Sequence, residues 1–212
     1  MEIKWLGHSS FLITTNDGTK ILTDPFDNTI GYDVYTGNAD IITVSHDHYD
    51  HNYLREVKGT PTLVDKPMTY DLGNIKIHGI SSYHDEVKGL KRGSNIIFVI
   101  EADGYKLAHL GDLGHLLDFD TINILNNLDV LFIPIGGNYT IGPKEAVKLC
   151  DVLDSKLIIP MHYKTPALNF TIKGLEEFIQ NIKNGEKVHS KVYTLPETMN
   201  FKNKVIILDY LD

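Results

Sequence analysis

Ile41-Ile42-Thr43-Val44-Ser45-His46-Asp47-His48-Tyr49-Asp50-His51 joins an apolar run to a dense set of metal-binding side chains. The first four residues, bounded by Asp40 and Ser45, read as a buried strand. Whatever follows therefore sits just past a strand end. In an extended segment His46 and His48 point the same way, because the side-chain period of a strand is two. If the chain then turns into a helix, Asp50 and His51 swing to a second position, so the spacing serves two metals. Imidazole and carboxylate ligands suit zinc, and also manganese or iron.

The pattern around this stretch predicts a meander in the N-terminal half. Strands are expected at 2–7, 10–15 and 20–23, with Asn16-Asp17-Gly18 as a hairpin turn. Residues 27–39 read as a turn-rich loop and 52–58 as a short helix. Strands follow at 61–64, 74–80, 95–100 and 105–110. The C-terminal half alternates helix and strand: a helix near 118–127, a strand at 129–134, and a helix opened by Pro143 and running to Leu153. A strand at 156–160, an amphipathic helix over 172–183 and two closing strands within 187–209 complete it. Proline at the first position of a helix is tolerated, since its missing N–H has no partner there. Two sheets covered by helices would accommodate this order. No linker, low-complexity segment or short repeat is visible, so residues 1–212 read as one domain.

A two-metal site needs more ligands than one loop offers. Strand ends gathered at one rigid edge are where the others belong. His84, Asp112 and His162 each stand just past a predicted strand. His78 competes with His84 but lies inside a strand pattern, which makes it structural. His109 is three residues before Asp112 and points to the opposite strand face, so it too reads as structural.

His-x-His-x-Asp-His after a strand resembles the signature of the metallo-β-lactamase-fold hydrolases. Further matches are Trp5-x-Gly7-His8-Ser9, Asp24-Pro25-Phe26, His109-x-Gly111-Asp112, Ile141-Gly142-Pro143 and Met161-His162-Tyr163. They resemble a compact branch related to ascorbate-phosphate lactonase and to metal-dependent hydrolases without an assigned substrate. The resemblance implies an α/β (α+β) fold, a four-layer αββα sandwich with the metal site at one edge between the sheets. It implies His46, His48 and His84 on one metal and Asp50, His51 and His162 on the other, with Asp112 bridging. Asp24 would hold the ligand loop from behind. His8, His115, Tyr139 and Lys164 are candidates for contact with ligands or substrate.

The expected activity is hydrolysis of a small ester, lactone or phosphodiester by a hydroxide shared between two divalent cations, zinc first, with manganese or iron as alternatives. Asp50 is the expected catalytic residue, ligating a metal and shuttling the proton. Other branches of the fold fit less well. Secreted β-lactamases use a cysteine ligand, and Cys150 lies on a helix pattern far from any ligand position. Flavin-coupled reductases replace a motif histidine and add a domain. The alternatives retained are a compact nucleotide phosphodiesterase, supported by a basic strip of Lys88, Lys91 and Arg92, and a metal-binding regulatory protein without catalysis.

Composition bounds these readings. The chain has 212 residues, 42% hydrophobic and 23% charged, with a formal net charge of −8. That balance favours a small-molecule substrate over nucleic acid, whose phosphates are held by lysine and arginine. A single cysteine excludes an internal disulfide, and no stretch is long enough to span a membrane. The chain therefore reads as cytoplasmic, with its oligomeric state open.

Overall fold

A computed structural model describes residues 1–211. The first half supplies β1 (Glu2–Gly7), β2 (Ser10–Thr14), β3 (Lys20–Thr23), β4 (Ile41–Thr43) and β5 (Thr62–Val64). Next come β6 (Thr69–Leu72), β7 (Ile75–Tyr83), β8 (Ser94–Ala102) and β9 (Tyr105–His109). The second half is α1 (Phe119–Ile124), β10 (Val130–Pro134), α2 (Pro143–Leu153), β11 (Leu157–Met161), α3 (Glu176–Ile182), β12 (Gly185–Lys187), β13 (Val192–Thr194) and β14 (Lys204–Ile207).

These strands form a six-stranded sheet, β13-β1-β2-β3-β4-β5, and an eight-stranded sheet, β12-β14-β11-β10-β9-β8-β7-β6. Both sheets are mixed, with antiparallel β1–β3 and parallel β3–β5 in one, and antiparallel β6–β9 and parallel β9–β10–β11–β14 in the other. Strand alternation sorts the side chains. Ile13, Ile21 and Ile41 face the core between the sheets, with Phe11, Phe98 and Phe132. Their neighbours Leu12, Leu22 and Ile42 face the other way, into a second apolar cluster. The parallel connections through α1, α2 and α3 advance in one direction across the second sheet. Right-handed crossovers of that kind place all three helices on one face.

Two mixed sheets enclosing one core agree with the sandwich that the resemblance implies, with several local departures from expectation. Residues 52–58 form no helix. The Tyr53 N–H donates to Pro25 O at 2.8 Å and the Lys58 N–H to Gly37 O at 2.8 Å, which leaves only a turn, Val57 N to Leu54 O at 3.2 Å. Leu54 and Val57 still cover the outer face of the first sheet, against Leu22 and Ile42. The helix expected over 172–183 is shortened to α3. Lys173 donates its N–H to Gly136 O and its carbonyl accepts from the Lys164 N–H, both at 2.8 Å, so the backbone here is committed to strand ends. Two short strands, β6 and β12, were not anticipated. Both lie at the second sheet's edges; β12 is exposed throughout, and β6, only four residues long, alternates exposed Thr69 and Asp71 with half-buried Tyr70 and Leu72. No helix is long and apolar enough to cross a membrane among the described residues.

A candidate metal centre at the sheet edge

The ends of β3, β4, β7, β9 and β11 and the turn between β1 and β2 bring together Asp24, His46, His48, Asp50, His51, His84, Asp112, His162 and His8. All but the half-exposed His48 are buried. The backbone is bent to achieve this. His8, Asp24 and His162 have φ of 52°, 40° and 50°, left-handed conformations that non-glycine residues adopt at a cost of roughly 1–3 kcal/mol each. The His162 N–H donates to His8 O at 3.1 Å and so ties the second sheet to the first. Close approach matters elsewhere. A Cβ on Gly111 would lie 2.4 Å from Asn95 Oδ1, and one on Gly114 would lie 2.3 Å from the His84 carbonyl carbon.

Asp112 stands at the centre. Its Oδ2 lies 3.1 Å from His84 Nε2, 3.2 Å from His162 Nε2 and 4.0 Å from His46 Nε2. Its Oδ1 is 3.4 Å from His51 Nε2. Asp50 Oδ2 is 3.6 Å from His51 Nε2 and accepts a hydrogen bond from His8 Nε2 at 3.2 Å. Three overlapping groups, His46–His48–His84, His46–His51–Asp112 and His8–His51–His162, each hold ligand atoms within 4.8 Å of one another.

Tautomers follow from the outer partners. Asp24 accepts from Ser45 N (2.8 Å), Ser45 Oγ (2.6 Å) and His51 Nδ1 (3.0 Å). Because Ser45 Oγ gives its proton to Asp24, it accepts from His46 Nδ1 at 2.9 Å. His84 Nδ1 donates to Tyr139 O at 3.0 Å. In all three histidines Nδ1 is occupied and Nε2 faces the common space, the arrangement that fixes ring orientation in metal-binding histidines. His46 Nε2, His51 Nε2 and Asp112 Oδ1 are buried without a hydrogen-bond partner among the described residues. Orphaned buried polar atoms are rare and costly, and a divalent cation would satisfy these.

The electrostatics carry the same message. Burial, against the charge of Asp112 and Asp24, pushes His46 down to about 3. Burial likewise opposes protonation of His51, but Asp112, Asp24 and Asp50 outweigh it and hold that imidazole well above its usual value. His84 is raised for the same reason, burial being outweighed by its contact with Asp112. Burial would raise Asp112, yet His162 and His51 hold it well below the carboxylate range. A field that retains protons on buried imidazoles attracts a metal cation equally.

Asp24 lies where the sequence puts it, behind His46 and His51. His8 is fully buried, lowered to about 4 by burial and by His162, and therefore neutral; its Nε2–H points at Asp50. Tyr139 lines a pocket of about 410 Å³ that opens onto His48, Asp50, His84, Asp112 and His162. His115 and Lys164 do not line it. Gly114 donates to Tyr83 O at 2.9 Å and turns the chain outward, so His115 Nε2 accepts from Tyr83 N at 3.3 Å on an exposed surface. Lys164 Nζ donates instead to Leu168 O. His109 spans the two sheets, Nε2 donating to Ser9 O at 2.8 Å and Nδ1 accepting from Gly111 N at 3.3 Å. Cys150 is buried on α2, its thiol pushed up to about 12 by burial.

Several contributors escaped sequence reading. Asn95 accepts from Asp112 N at 2.9 Å and donates to Leu110 O at 3.0 Å, setting the loop that presents Asp112. Tyr49 and Phe170 line the pocket too, and of the basic strip noted in the sequence Lys91 and Arg92 line it as well. A polar residue directly before the apolar run 96–100 of β8 was the available signal for Asn95.

A sequence profile for a beta-lactamase superfamily domain matches residues 2–162. A UPF0173 metal-dependent hydrolase of Methanobrevibacter smithii is 34% identical over 197 residues, covering 78% of this chain and 82% of the relative. One from Lysinibacillus sphaericus is 30% identical, covering 89% and 99%. A crystal structure from Thermotoga maritima, described as a Zn-dependent hydrolase of the metallo-beta-lactamase superfamily, superposes with a TM-score of 0.82 at 38% identity, covering 98% of this chain and 97% of that one.

Proposed function

The chain belongs to the metallo-β-lactamase superfamily and is a metal-dependent hydrolase, and we propose that it works with two divalent cations, zinc first, on a small ester, lactone or phosphodiester. His46, His48 and His84 would hold one cation, Asp50, His51 and His162 the other, and Asp112 would bridge. One observation carries this reading: His46 Nε2, His51 Nε2 and Asp112 Oδ1 are buried without a hydrogen-bond partner among the described residues, and the three residues offer ligand atoms within 4.8 Å of one another. Such cations supply an acidified water as nucleophile and positive charge opposite the oxygen on which negative charge develops.

The chain's own residues do the rest. Asp50 accepts the proton of the attacking water and delivers it to the leaving group. The neutral His8 donates to Asp50 Oδ2, which aims that carboxylate and keeps it ionised. Asp24, through Ser45 and His51, fixes two ligand rings. Tyr139 and Phe170, 6.2 Å apart, wall the pocket for an apolar part of the substrate.

The test is to reload chelator-treated protein with zinc, manganese or iron(II) and to assay para-nitrophenyl acetate, a γ-lactone and bis(para-nitrophenyl) phosphate. Turnover of at least one class, abolished by chelator and reduced about a hundredfold or more in Asp50→Asn, is expected. Protein that neither retains metal on purification nor takes it up on reloading would overturn the reading.

A further inference from the structure

We propose that the substrate carries a second anionic group, a carboxylate or a phosphate monoester, remote from the bond that is cleaved and bound by Arg92 and Lys91. This rests on the two-metal hydrolase reading and names the substrate class of that same site. Both cations line the pocket that contains Asp112 and His84. They come from a loop that Asp85 builds. The buried Asp85 carboxylate accepts four backbone N–H groups, from Val87 (2.9 Å), Gly89 (2.8 Å), Lys91 (2.9 Å) and Arg92 (2.8 Å). Those bonds overcome the effect of burial and hold Asp85 down to about 2, so the clamp persists across the physiological range. A loop clamped at Lys91 and Arg92 themselves presents their side chains in one place.

Arg92 is the better anion reader of the two. Its guanidinium lies 5.4 Å from the centroid of the Tyr139 ring, and the Tyr139 carbonyl in turn holds His84. No carboxylate pairs with Arg92 among the described residues. A guanidinium stacked on an aromatic face keeps its fork of donors free for a carboxylate or phosphate. Lys91 pairs with Glu86, but both side chains are more than half exposed, and such a pair is weak enough for a substrate anion to exchange with it. The pocket's own carboxylates, Asp50 and Asp112, face the metal ligands. The unpaired positive charge in the pocket therefore lies at Arg92, with the exchangeable Lys91 beside it, in a chain whose net charge is −8. A neutral ester would leave that charge without a partner.

The experiment is calorimetric titration of the metal-loaded protein with glutarate, adipate and phosphonopropionate, each against pentanoate as a singly charged probe. One carboxylate of each probe can occupy the metal centre, and the second group reports on the loop. At low salt at least one doubly charged probe should bind about tenfold tighter than pentanoate, and which one does so separates carboxylate from phosphate recognition. The advantage should fall to about twofold or less in the R92Q/K91Q variant and shrink with added salt. E86Q, which frees Lys91, should enlarge it. Equal binding of all probes to the wild type, or an advantage unchanged in R92Q/K91Q, would overturn the proposal. Metal content and melting temperature are measured on the same samples. If no metal is bound, the hydrolase reading falls, and an Arg92-dependent preference among the probes would still support the anion site while its absence would end it.

Discussion

Asp24 and Asp85 both anchor a loop at the site, and they do it in opposite ways. Asp24 spends its carboxylate largely on side chains, Ser45 Oγ and His51 Nδ1, with one backbone N–H from Ser45. Asp85 spends its carboxylate on four backbone N–H groups and on no side chain among those bonds. The first therefore sets the tautomer and direction of the rings that face the metal space. The second sets only where a piece of chain runs, and the residues it positions, Lys91 and Arg92, are free to vary in type. The ligand loop encodes chemistry and the basic loop encodes selectivity.

The largest effect should follow from breaking the first anchor. Asp24→Ala removes a fully buried carboxylate and strands the His51 and Ser45 donors. Breaking a buried pair of this kind costs roughly 3–5 kcal/mol, and loss of such an outer partner weakens metal binding about 10–100-fold. Urea unfolding and a competitive chelator titration read the two effects separately. Asp85→Ala should do something different. Metal content should stay at the wild-type value, while residues 86–93 exchange amide hydrogens faster and become sensitive to protease. Loss of metal in Asp85→Ala would erase the contrast between the loops.

Protons should compete with metal at His51 in the first loop and at His84, the residue before Asp85. In metal-free protein Asp112 outweighs the burial of His51 and His84 and raises both imidazoles above their ordinary value, His51 well above it. Their contribution to metal-free stability is fully present below the ordinary histidine value and is lost as pH rises through the raised folded values. Asp112, held low, contributes above the ordinary carboxylate value and loses its contribution as pH falls. Ligation must expel the histidine protons, so metal affinity should be higher at pH 8 than at pH 6, with protons released on binding. Calorimetry in two buffers of different ionisation enthalpy counts them.

The smallest effect belongs to His115→Ala. This half-buried ring lies outside the pocket, so metal content should be unchanged and activity should stay within about twofold.

The contrast between the loops also explains what could be read from the sequence. His46, His84, Asp112 and His162 each follow an apolar strand, and a strand end is a local pattern that fixes position. The core followed from the same alternation, as in Leu12-Ile13 and Ile21-Leu22, whose side chains part to opposite faces. Edge strand β12 buries no face and left no such trace, and β6 offers only two half-buried side chains, Tyr70 and Leu72, in a run of four residues. The segment 52–58 has helix-forming residues, but Pro25 and Gly37 take its N–H groups, and those partners are distant in sequence. The basic strip of Lys91 and Arg92 was visible in the sequence, but its placement at the pocket was not, because the clamp that sets it is one aspartate bonded to backbone, without periodicity. His115 was misplaced because the turn at Gly114, packed against the His84 backbone, is a tertiary event.

The most direct measurement is the metal content, by elemental analysis, of wild type and Asp112→Ala purified without chelators. About two metal ions per chain, falling to one or fewer in the variant, is the result predicted for a carboxylate shared by two cations. Zero or one ion in the wild type, unchanged in Asp112→Ala, would contradict it.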